Sequence, residues 1–284
     1  MKKFFLASAA VIGLTGVAYS ADLPAKPVYK APIAAPIFTW NGFYVGANVG
    51  IAWGLFDNRL SIVNGPLGDG FFNTAIGQDR DVAAAGASRI RASGFTGGAQ
   101  VGYNFQINRA VLGFEVDFGA LDLSGPSSGT FLYSGLVNHP FSLTTAVRTN
   151  WLLTARPRVG YVFDRTLVYA TGGIAVTNLN FDQNFQDLPP LCNPVPACSE
   201  TASRRSTRVG YALGAGLEYA LRDNWTAKGE YLYLNFGSTN VSGLLGTPVV
   251  GSGTATFNNS VQLDAHVFRF GANYRLGTGP IIAR

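Results

Sequence analysis

Residues 150–163, NWLLTARPRVGYVF, alternate apolar and polar side chains with a period of two. The apolar positions run from Trp151 to Tyr161, and the polar positions include Arg156 and Arg158. A period of two predicts a β-strand with two unlike faces. The aromatic residues at the two ends of the apolar face lie about 25 Å apart on a tilted strand, which is the height of a bilayer's apolar band. The segment therefore predicts a membrane-spanning strand whose arginines point away from lipid.

Seven other segments can be read as strands, at residues 41–54, 94–105, 110–121, 166–177, 208–221, 225–236 and 267–276. Six of them alternate clearly, whereas the faces of 166–177 cannot be assigned from its sequence. Long links of roughly 25–40 residues alternate strictly with links of about four residues, as in barrels with long extracellular loops and short periplasmic turns. The predicted fold is all-β: an eight-stranded antiparallel up-and-down transmembrane β-barrel over residues 40–276.

A soluble barrel is the alternative, with its apolar face inside and its polar face in water. The polar faces of these strands are rich in Gly, Asn and Thr instead of Lys and Glu, which is typical of a crowded interior. Aromatic pairs such as Phe43 and Trp53, or Tyr211 and Tyr219, also mark both ends of the apolar faces. These features favour the membrane barrel.

The ends of the chain carry no predicted strand. Residues 1–20 have a basic start, an apolar stretch and small residues before Ala21, and are expected to be a secretory signal peptide. Residues 21–39 are rich in proline and are expected to be a periplasmic linker. Residues 277–284 form a C-terminal tail. Export together with a barrel predicts the outer membrane of a Gram-negative cell.

The composition excludes some classes of protein. Charged residues are 13% of the chain and hydrophobic residues 47%, and the net charge of +5 gives no reason to expect a nucleic-acid partner. Cys192 and Cys198 lie close together in one loop segment, and in an exported protein they are expected to form a disulfide instead of a metal site.

Ten charged residues fall on the polar faces and are expected to line the lumen. They are Glu115, Asp117, Arg156, Arg158, Arg208, Glu218, Lys228, Glu230, Arg269 and Arg275. Antiparallel neighbours should place Glu115 and Asp117 beside Arg156 and Arg158. Buried charges persist when they are paired, and an eight-stranded barrel is barely wide enough to hold its own side chains. These residues are interpreted as a structural polar plug, with a proton or ion path as the alternative.

The segments GFYVGANVG, GAQVGYNFQINRAVLGFEVDFG, RPRVGYVFDRTLVYATGGIA, RVGYALGAGLEYALRDNWTAKGEYLY and FRFGANYRL resemble a known family. They are similar to the small porin-like outer-membrane proteins of alphaproteobacteria, which include surface immunogens and hemin-binding members. The resemblance implies an OmpA-like eight-stranded barrel that contacts lipopolysaccharide and supports the envelope. Members commonly end on an aromatic residue that the barrel-assembly machinery reads. Here Tyr274 and Leu276 are instead followed by the tail.

Other residues suggest chemistry only weakly. His266, Asp264 and Ser260 could form a lipid-modifying hydrolase site, and His139 in a loop could ligate hemin. Arginines near the outer rim suit the phosphates of lipid A, with solvated loop charge as the alternative: Arg89, Arg91, Arg148, Arg204 and Arg205.

Together these features predict a monomeric structural or surface barrel that is not an enzyme, uses no cofactor and contacts membrane lipid and lipopolysaccharide. The alternative is a narrow porin, or a protein that binds hemin or another ligand through its extracellular loops.

Overall fold

The computed structural model describes residues 38–65, 71–188, 199–222, 224–246 and 254–276. The expected signal peptide, the tail, nearly all of the linker and the cysteines Cys192 and Cys198 lie outside these residues. Within the described ranges, no helix is both long and apolar enough to cross a membrane.

The described residues form nine β-strands, one short helix and one 3₁₀ turn. The strands are β1 (Gly42–Asn64), β2 (Ser88–Ile107), β3 (Ala110–Leu132), β4 (Pro140–Arg148), β5 (Trp151–Phe163), β6 (Thr166–Asp187), β7 (Ser199–Ala220), β8 (Trp225–Gly246) and β9 (Thr254–Leu276). The 3₁₀ turn Thr74–Ile76 and the helix α1 (Gln78–Gly86) lie between β1 and β2.

All neighbouring strands are antiparallel, and β1 pairs with β9 so that the sheet closes on itself. The strands β4 and β5 together occupy one strand position of the barrel, because β3 and β6 each pair with both of them. The interruption falls at Thr149 and Asn150. The barrel thus has eight strand positions, which confirms the predicted fold class.

The barrel has two unlike ends. We call the end with the short connections after β2, β5 and β7 the turn end, and the opposite end the loop end. The strands run much further toward the loop end than the sequence predicts: β1 continues to Asn64, whereas the predicted strand ends at residue 54. Beyond the membrane both sides of a strand can be polar, so the contrast that reveals a period of two is lost there.

The side-chain orientations agree with the predicted faces. Five aromatic residues point outward, and at least 41% of the surface of each residue is exposed: Phe43, Trp53, Tyr161, Tyr211 and Tyr219. Phe43, Tyr161 and Tyr219 lie near the turn end, and Trp53 and Tyr211 lie eight to ten residues along their strands from that level, a spacing typical of two aromatic belts at membrane interfaces.

Pro157 breaks one of the two ladders of β5. On the β3 side the register is continuous and places Pro157 opposite Phe114. On the β6 side the described pairing stops at Ala155 and resumes at Arg158 without a change of register. The hydroxyl of Thr171 donates to the Pro157 carbonyl at 2.9 Å and replaces one ladder bond. The ladder is thus broken locally at Pro157 without a bulge.

The barrel interior is layered. A small apolar group fills the turn end: Trp40, Val111, Val162, Leu167, Tyr169 and Ala220. Charged side chains follow, and above them lies a large apolar layer that includes Phe56, Leu152 and Phe181. A second apolar layer, rich in phenylalanine, fills the loop end around Phe141 and Phe257. The interior is therefore more apolar than the sequence faces suggest.

Candidate functional site

The interior charged cluster contains three pairs of residues two positions apart on one strand, and two single residues from two further strands. Because side chains alternate across a strand, such pairs share a face, and the closed sheet aims them all at the barrel axis. Eight of the ten predicted residues are brought together, each at most 3% exposed: Glu115, Asp117, Arg156, Arg158, Glu218, Lys228, Glu230 and Arg269. We call these eight residues the charged cluster.

Arg156 lies at the centre of the charged cluster. Its Nη2 is 2.9 Å from Glu115 Oε1 and 3.0 Å from Asp117 Oδ2. Its Nη1 is 3.3 Å from Glu230 Oε1 on the opposite side of the lumen. One guanidinium thus links carboxylates on β3 and β8, which are not neighbouring strands.

Lys228 and Arg269 make the same kind of link from β8 and β9. Lys228 Nζ lies 2.9 Å from Glu115 Oε1. Arg269 places Nη1 2.9 Å from Asp117 Oδ1 and Nη2 2.7 Å from Glu230 Oε2. These contacts tie the last two strands of the chain to β3 through the interior.

Arg158 is held by a carboxylate and two aromatic rings. Its Nη1 is 3.0 Å from Glu218 Oε2, and its Nε donates to Asn104 Oδ1 at 2.9 Å. Its guanidinium carbon lies 4.8 Å from the ring centre of Tyr44 and 5.0 Å from that of Tyr169. Contacts at these distances are favourable cation–π interactions.

Neutral side chains complete the hydrogen bonding of the carboxylates. The hydroxyl of Tyr44 donates to Glu115 at 2.8 Å and that of Tyr169 donates to Glu230 at 3.0 Å. Further donors to Asp117 and Glu218 are Thr154, Thr226 and Asn273. Such bonds satisfy lone pairs that the ion pairs leave open, which a buried carboxylate requires.

The charges of the cluster balance. It contains four carboxylates and four cations, so the formal charges cancel. Taking charges out of water is costly, and removing one partner of a buried pair typically costs about 3–5 kcal/mol. The cluster is therefore expected to tolerate loss of a single member poorly.

Two tyrosines reach the cluster because glycines make room for them. A Cβ on Gly102 would lie 2.2 Å from the Tyr44 hydroxyl oxygen, and one on Gly216 would lie 2.5 Å from that of Tyr169. Both rings therefore lie directly over a neighbouring strand's backbone. Tyr169 falls in 166–177, the segment whose faces the sequence left unassigned.

Two predicted residues lie outside the charged cluster. Arg208 does not join the charged cluster, contrary to the prediction. It lies three residues from the belt residue Tyr211 toward the loop end, and its guanidinium donates to the Ser238 carbonyl. Arg275 lies at the turn end, where it donates to Asn224 Oδ1 at 3.3 Å and stacks 3.9 Å from the ring centre of Phe38. The alternation of polar and apolar residues predicts the side of the strand on which these two arginines lie, but not their position along the barrel axis.

The two histidines lie in different surroundings. His139 is half-buried, and its Nδ1 lies 2.7 Å from the Val137 carbonyl. His266 Nδ1 lies 2.6 Å from the Tyr231 hydroxyl, while Asp264 accepts from Tyr233. Within the described residues no hydrogen bond joins Asp264 to His266, so this pair lacks the arrangement of a hydrolase triad. The described ranges also contain no group of three or more His, Cys, Asp or Glu able to hold a metal.

Two buried carboxyls at the loop end were not anticipated. Burial raises the pKa of Asp187 to about 6 and that of Glu200 to about 7. Neither carboxyl oxygen of Glu200 has a hydrogen-bond partner in the part of the chain that the structure describes. Glu200 lies outside the predicted strand 208–221, so its burial against Gly243 of β8 was not foreseen.

A closed antiparallel sheet with an aromatic outer belt and a paired ionic interior defines an outer-membrane β-barrel. The chain belongs to the family described as "Outer membrane protein beta-barrel domain", whose model matches residues 31–275. It is accordingly an outer-membrane protein of a Gram-negative cell envelope.

Sequence similarity to known outer-membrane proteins extends over nearly the whole chain. The 31 kDa outer-membrane immunogenic protein of Brucella melitensis is 32% identical over 97% of this chain and 100% of its own length. The 25 kDa outer-membrane immunogenic protein of the same organism is 26% identical over 97% of this chain and 98% of its own. Among solved structures, OprG of Pseudomonas aeruginosa matches 83% of this chain and 97% of its own at 13% identity, with a TM-score of 0.43. The relatives are named as immunogenic proteins, not as enzymes.

Proposed function

We propose that this protein is a structural surface barrel of the outer membrane whose lumen is closed by the charged cluster. It supports the envelope by occupying the membrane stably and by contacting lipid and lipopolysaccharide. It acts as a monomer, catalyses no reaction and depends on the barrel-assembly machinery for insertion.

The observation that carries this proposal is the crossing of the lumen by Arg156. Its guanidinium lies within 3.3 Å of carboxylate oxygens on β3 and on β8. Arg269 and Lys228 cross at the same level. An ion that moved along the axis would have to separate these pairs, and charges that lose their partners in a buried site are costly.

The apolar layers support the same proposal. The interior above the cluster is lined by buried side chains such as Leu121, Leu232 and Val267, each fully or almost fully buried. A hydrated solute path needs polar groups along its length, whereas an apolar layer of close-packed side chains offers none.

Planar-bilayer recording tests the proposal. Purified, folded protein is expected to give no reproducible conductance steps. The double variant Arg156→Ser, Arg269→Ser removes two cations and much side-chain volume, and it is expected to give at most small cation-selective steps, because the apolar layers stay in place. The matched control Arg204→Ser, Arg205→Ser changes the charge equally on exposed residues and is expected to stay silent.

Large, stable steps from the unaltered protein would contradict the proposal and support the narrow porin. Folding of each variant is checked by the shift of its electrophoretic band on boiling, so that a silent unfolded sample is not counted as a closed barrel.

A further inference from the structure

Three aromatic rings on the outer face of the barrel form a row across β1, β9 and β8. Trp53 stands opposite His266, and His266 stands opposite Tyr233. The ring centres of Trp53 and His266 are 5.9 Å apart, and those of His266 and Tyr233 are 5.4 Å apart. Side chains that stand opposite each other share one face of a sheet, and Trp53 shows that this face is the outer one, since it is 41% exposed. We call Trp53, Tyr233 and His266 the aromatic row.

A carboxylate lies on the same outer face, next to the aromatic row on its loop-end side. Asp264 is two residues from His266 on β9, so the two side chains share a face. Its Oδ1 accepts from the Tyr233 hydroxyl at 2.9 Å and from the Asn235 amide, and its Oδ2 accepts from the Gln262 amide at 3.1 Å. A charged group held by three donors on the outside of a membrane barrel indicates polar headgroups beside it instead of acyl chains.

Two arginines of β2 extend this polar surface. Arg91 stands opposite Leu55, which on its other side stands opposite Asp264. Arg89 lies two residues nearer the loop end on the same face, and both arginines are exposed. Arg89 Nη2 is 3.5 Å from Asp57 Oδ2, whereas Arg91 makes no ion pair with any described residue. Guanidinium groups bind phosphate with two parallel hydrogen bonds, so this position suits a phosphate.

The distance of these groups from the aromatic row matches the headgroup region of a bilayer. Two residues of a strand tilted by about 40° rise by about 5 Å. Asp264 is two residues beyond His266, and Arg91 is two residues beyond Ser93, the partner of Trp53. Both side chains therefore lie roughly 5–10 Å beyond the row, and the polar region of one leaflet is about 5–8 Å thick. The surface thus faces lipid headgroups.

A polar groove continues the surface toward the loop end. It has a volume of about 360 Å³, and its outward-facing lining residues come from β1, β8 and β9: Arg59, Ser61, Asn240, Ser242, Asn258 and Ser260. Among the described residues that line it there is no carboxylate. Amides and hydroxyls of this kind both donate and accept hydrogen bonds, as the hydroxyls of a sugar require.

The location of this surface decides among possible occupants. The chain belongs to an outer-membrane family, and in such barrels the long loops lie on the extracellular side, where the leaflet is built of lipopolysaccharide. A phospholipid headgroup would use the arginines but has no sugar ring for the aromatic row. A second copy of the chain would bring the arginines of β2 close to their own kind. A phosphorylated sugar matches the rings, the amides and the arginines together.

We propose that the outer face of β2, β1, β9 and β8 binds the phosphorylated glucosamine headgroup of one lipopolysaccharide molecule. The C–H face of a sugar ring packs on Trp53 and His266, and its hydroxyls bond to Asp264 and Gln262. A phosphate is bound by Arg91 together with its neighbour on β2. This inference rests on the lipopolysaccharide contact of the proposed function and names the residues that make it.

Native mass spectrometry of the folded full-length protein in detergent micelles tests this proposal. The probe is bisphosphorylated lipid A, which is expected to form a one-to-one adduct. The double variant Arg89→Gln, Arg91→Gln should weaken binding at least about tenfold, since it removes charge-assisted hydrogen bonds to phosphate. Trp53→Leu keeps an apolar side chain but removes the aromatic surface, and it should weaken binding by about three- to tenfold.

Matched controls separate this site from general attraction to the barrel. The double variant Arg148→Gln, Arg205→Gln changes two exposed, outward-facing arginines on β4 and β7 and should bind lipid A as the unaltered protein does. Trp225→Leu removes an exposed tryptophan at the turn end and should also have no effect. Phosphatidylglycerol carries an anionic phosphate without a phosphorylated sugar, so it should compete with lipid A at least about tenfold less well.

Four outcomes would overturn the proposal: no lipid A adduct of the unaltered protein, equal losses in the two arginine double variants, equal binding by the two tryptophan variants, or equal competition by phosphatidylglycerol. The shift of the electrophoretic band on boiling confirms that each variant is folded before it is compared. Bilayer recording keeps the two proposals apart. A silent barrel that retains no lipid A refutes the site and not the closed lumen, whereas a conducting barrel that retains lipid A refutes only the closed lumen.

Discussion

Glu115 on β3 stands directly opposite Arg156 on β5, and their side chains meet at 2.9 Å in the barrel interior. Each also bonds to residues across the lumen, Glu115 to Lys228 and Arg156 to Glu230. A cross-strand pair that would contribute little on a surface thus becomes the centre of an interior cluster that joins five strands.

Removing the Glu115 carboxylate should destabilise the barrel strongly. In Glu115→Gln the cations of Arg156 and Lys228 lose a shared partner while remaining buried, and the free energy of unfolding is expected to fall by about 3–5 kcal/mol. Urea titration in detergent micelles measures this. Arg208→Gln, outside the cluster, should cost less than about 1 kcal/mol. Similar losses of unfolding free energy in both variants would show that the cluster contributes no more to stability than a single arginine outside it.

The close approach of Tyr44 to Gly102 should make that glycine intolerant of a side chain. A Cβ there would lie 2.2 Å from the Tyr44 hydroxyl oxygen and 2.7 Å from the Phe114 carbonyl oxygen. Gly102→Ala should therefore displace Tyr44 from Glu115 and lower the free energy of unfolding by about 1–3 kcal/mol. In Gly229→Ala the new Cβ would meet ring atoms of Phe270 at 3.6 Å, an ordinary contact, and stability should change little. An equal tolerance of both changes would contradict the packing described.

The stability of the loop end should fall as pH rises. Burial raises the pKa of Glu200 from 4.5 to about 7, so between these values the folded state holds a proton that the unfolded state has lost. The free energy of unfolding therefore decreases from about pH 4.5 to about pH 7 and is level above that. Glu200→Gln should remove this component of the pH dependence, measured by urea titration at pH 5 and pH 8. The exposed carboxyl of Asp122 provides the control, and Asp122→Asn should leave the dependence intact.

Loss of the Thr171 hydroxyl should weaken the wall where Pro157 breaks the ladder. Thr171→Val removes the hydrogen bond to the Pro157 carbonyl, and the free energy of unfolding should drop by about 0.5–1.5 kcal/mol. Thr171→Ser keeps the hydroxyl and should retain most of the stability. A valine variant as stable as the serine variant would mean that the carbonyl is satisfied in another way.

The sequence predicts the membrane portion of the barrel well because lipid imposes a sharp contrast on every strand. On β5, Leu153 and Val159 face outward while Arg156 and Arg158 are buried, as the period of two requires. The pairing of β3 with β5 also follows from their order along the chain. These features depend on local pattern and on nearest neighbours.

Features that depend on distant strands could not be predicted. The partner of Lys228 is Glu115, which lies across the lumen and not on an adjacent strand. Arg208 lies on the predicted side of β7 but nearer the loop end than the charged cluster. The register shift of β8 at Gly237 could not be predicted, since glycines are frequent in most of the long strands and this one is not distinguished from the others by sequence.

The ion pairs between β9 and β3 also bear on the order in which the barrel can form. Asp117 and Arg269 are separated by 152 positions in the chain, and they meet only where β9 has come round to β1. Before that step Asp117 lacks one of its two guanidinium partners, and Arg269 keeps only Glu230, which stands opposite it on β8. The last ion pairs of the interior therefore form together with closure of the wall, and a barrel in which β9 is not yet paired with β1 leaves buried charge unmatched. Complete neutralisation of the cluster thus requires the completed circle of strands.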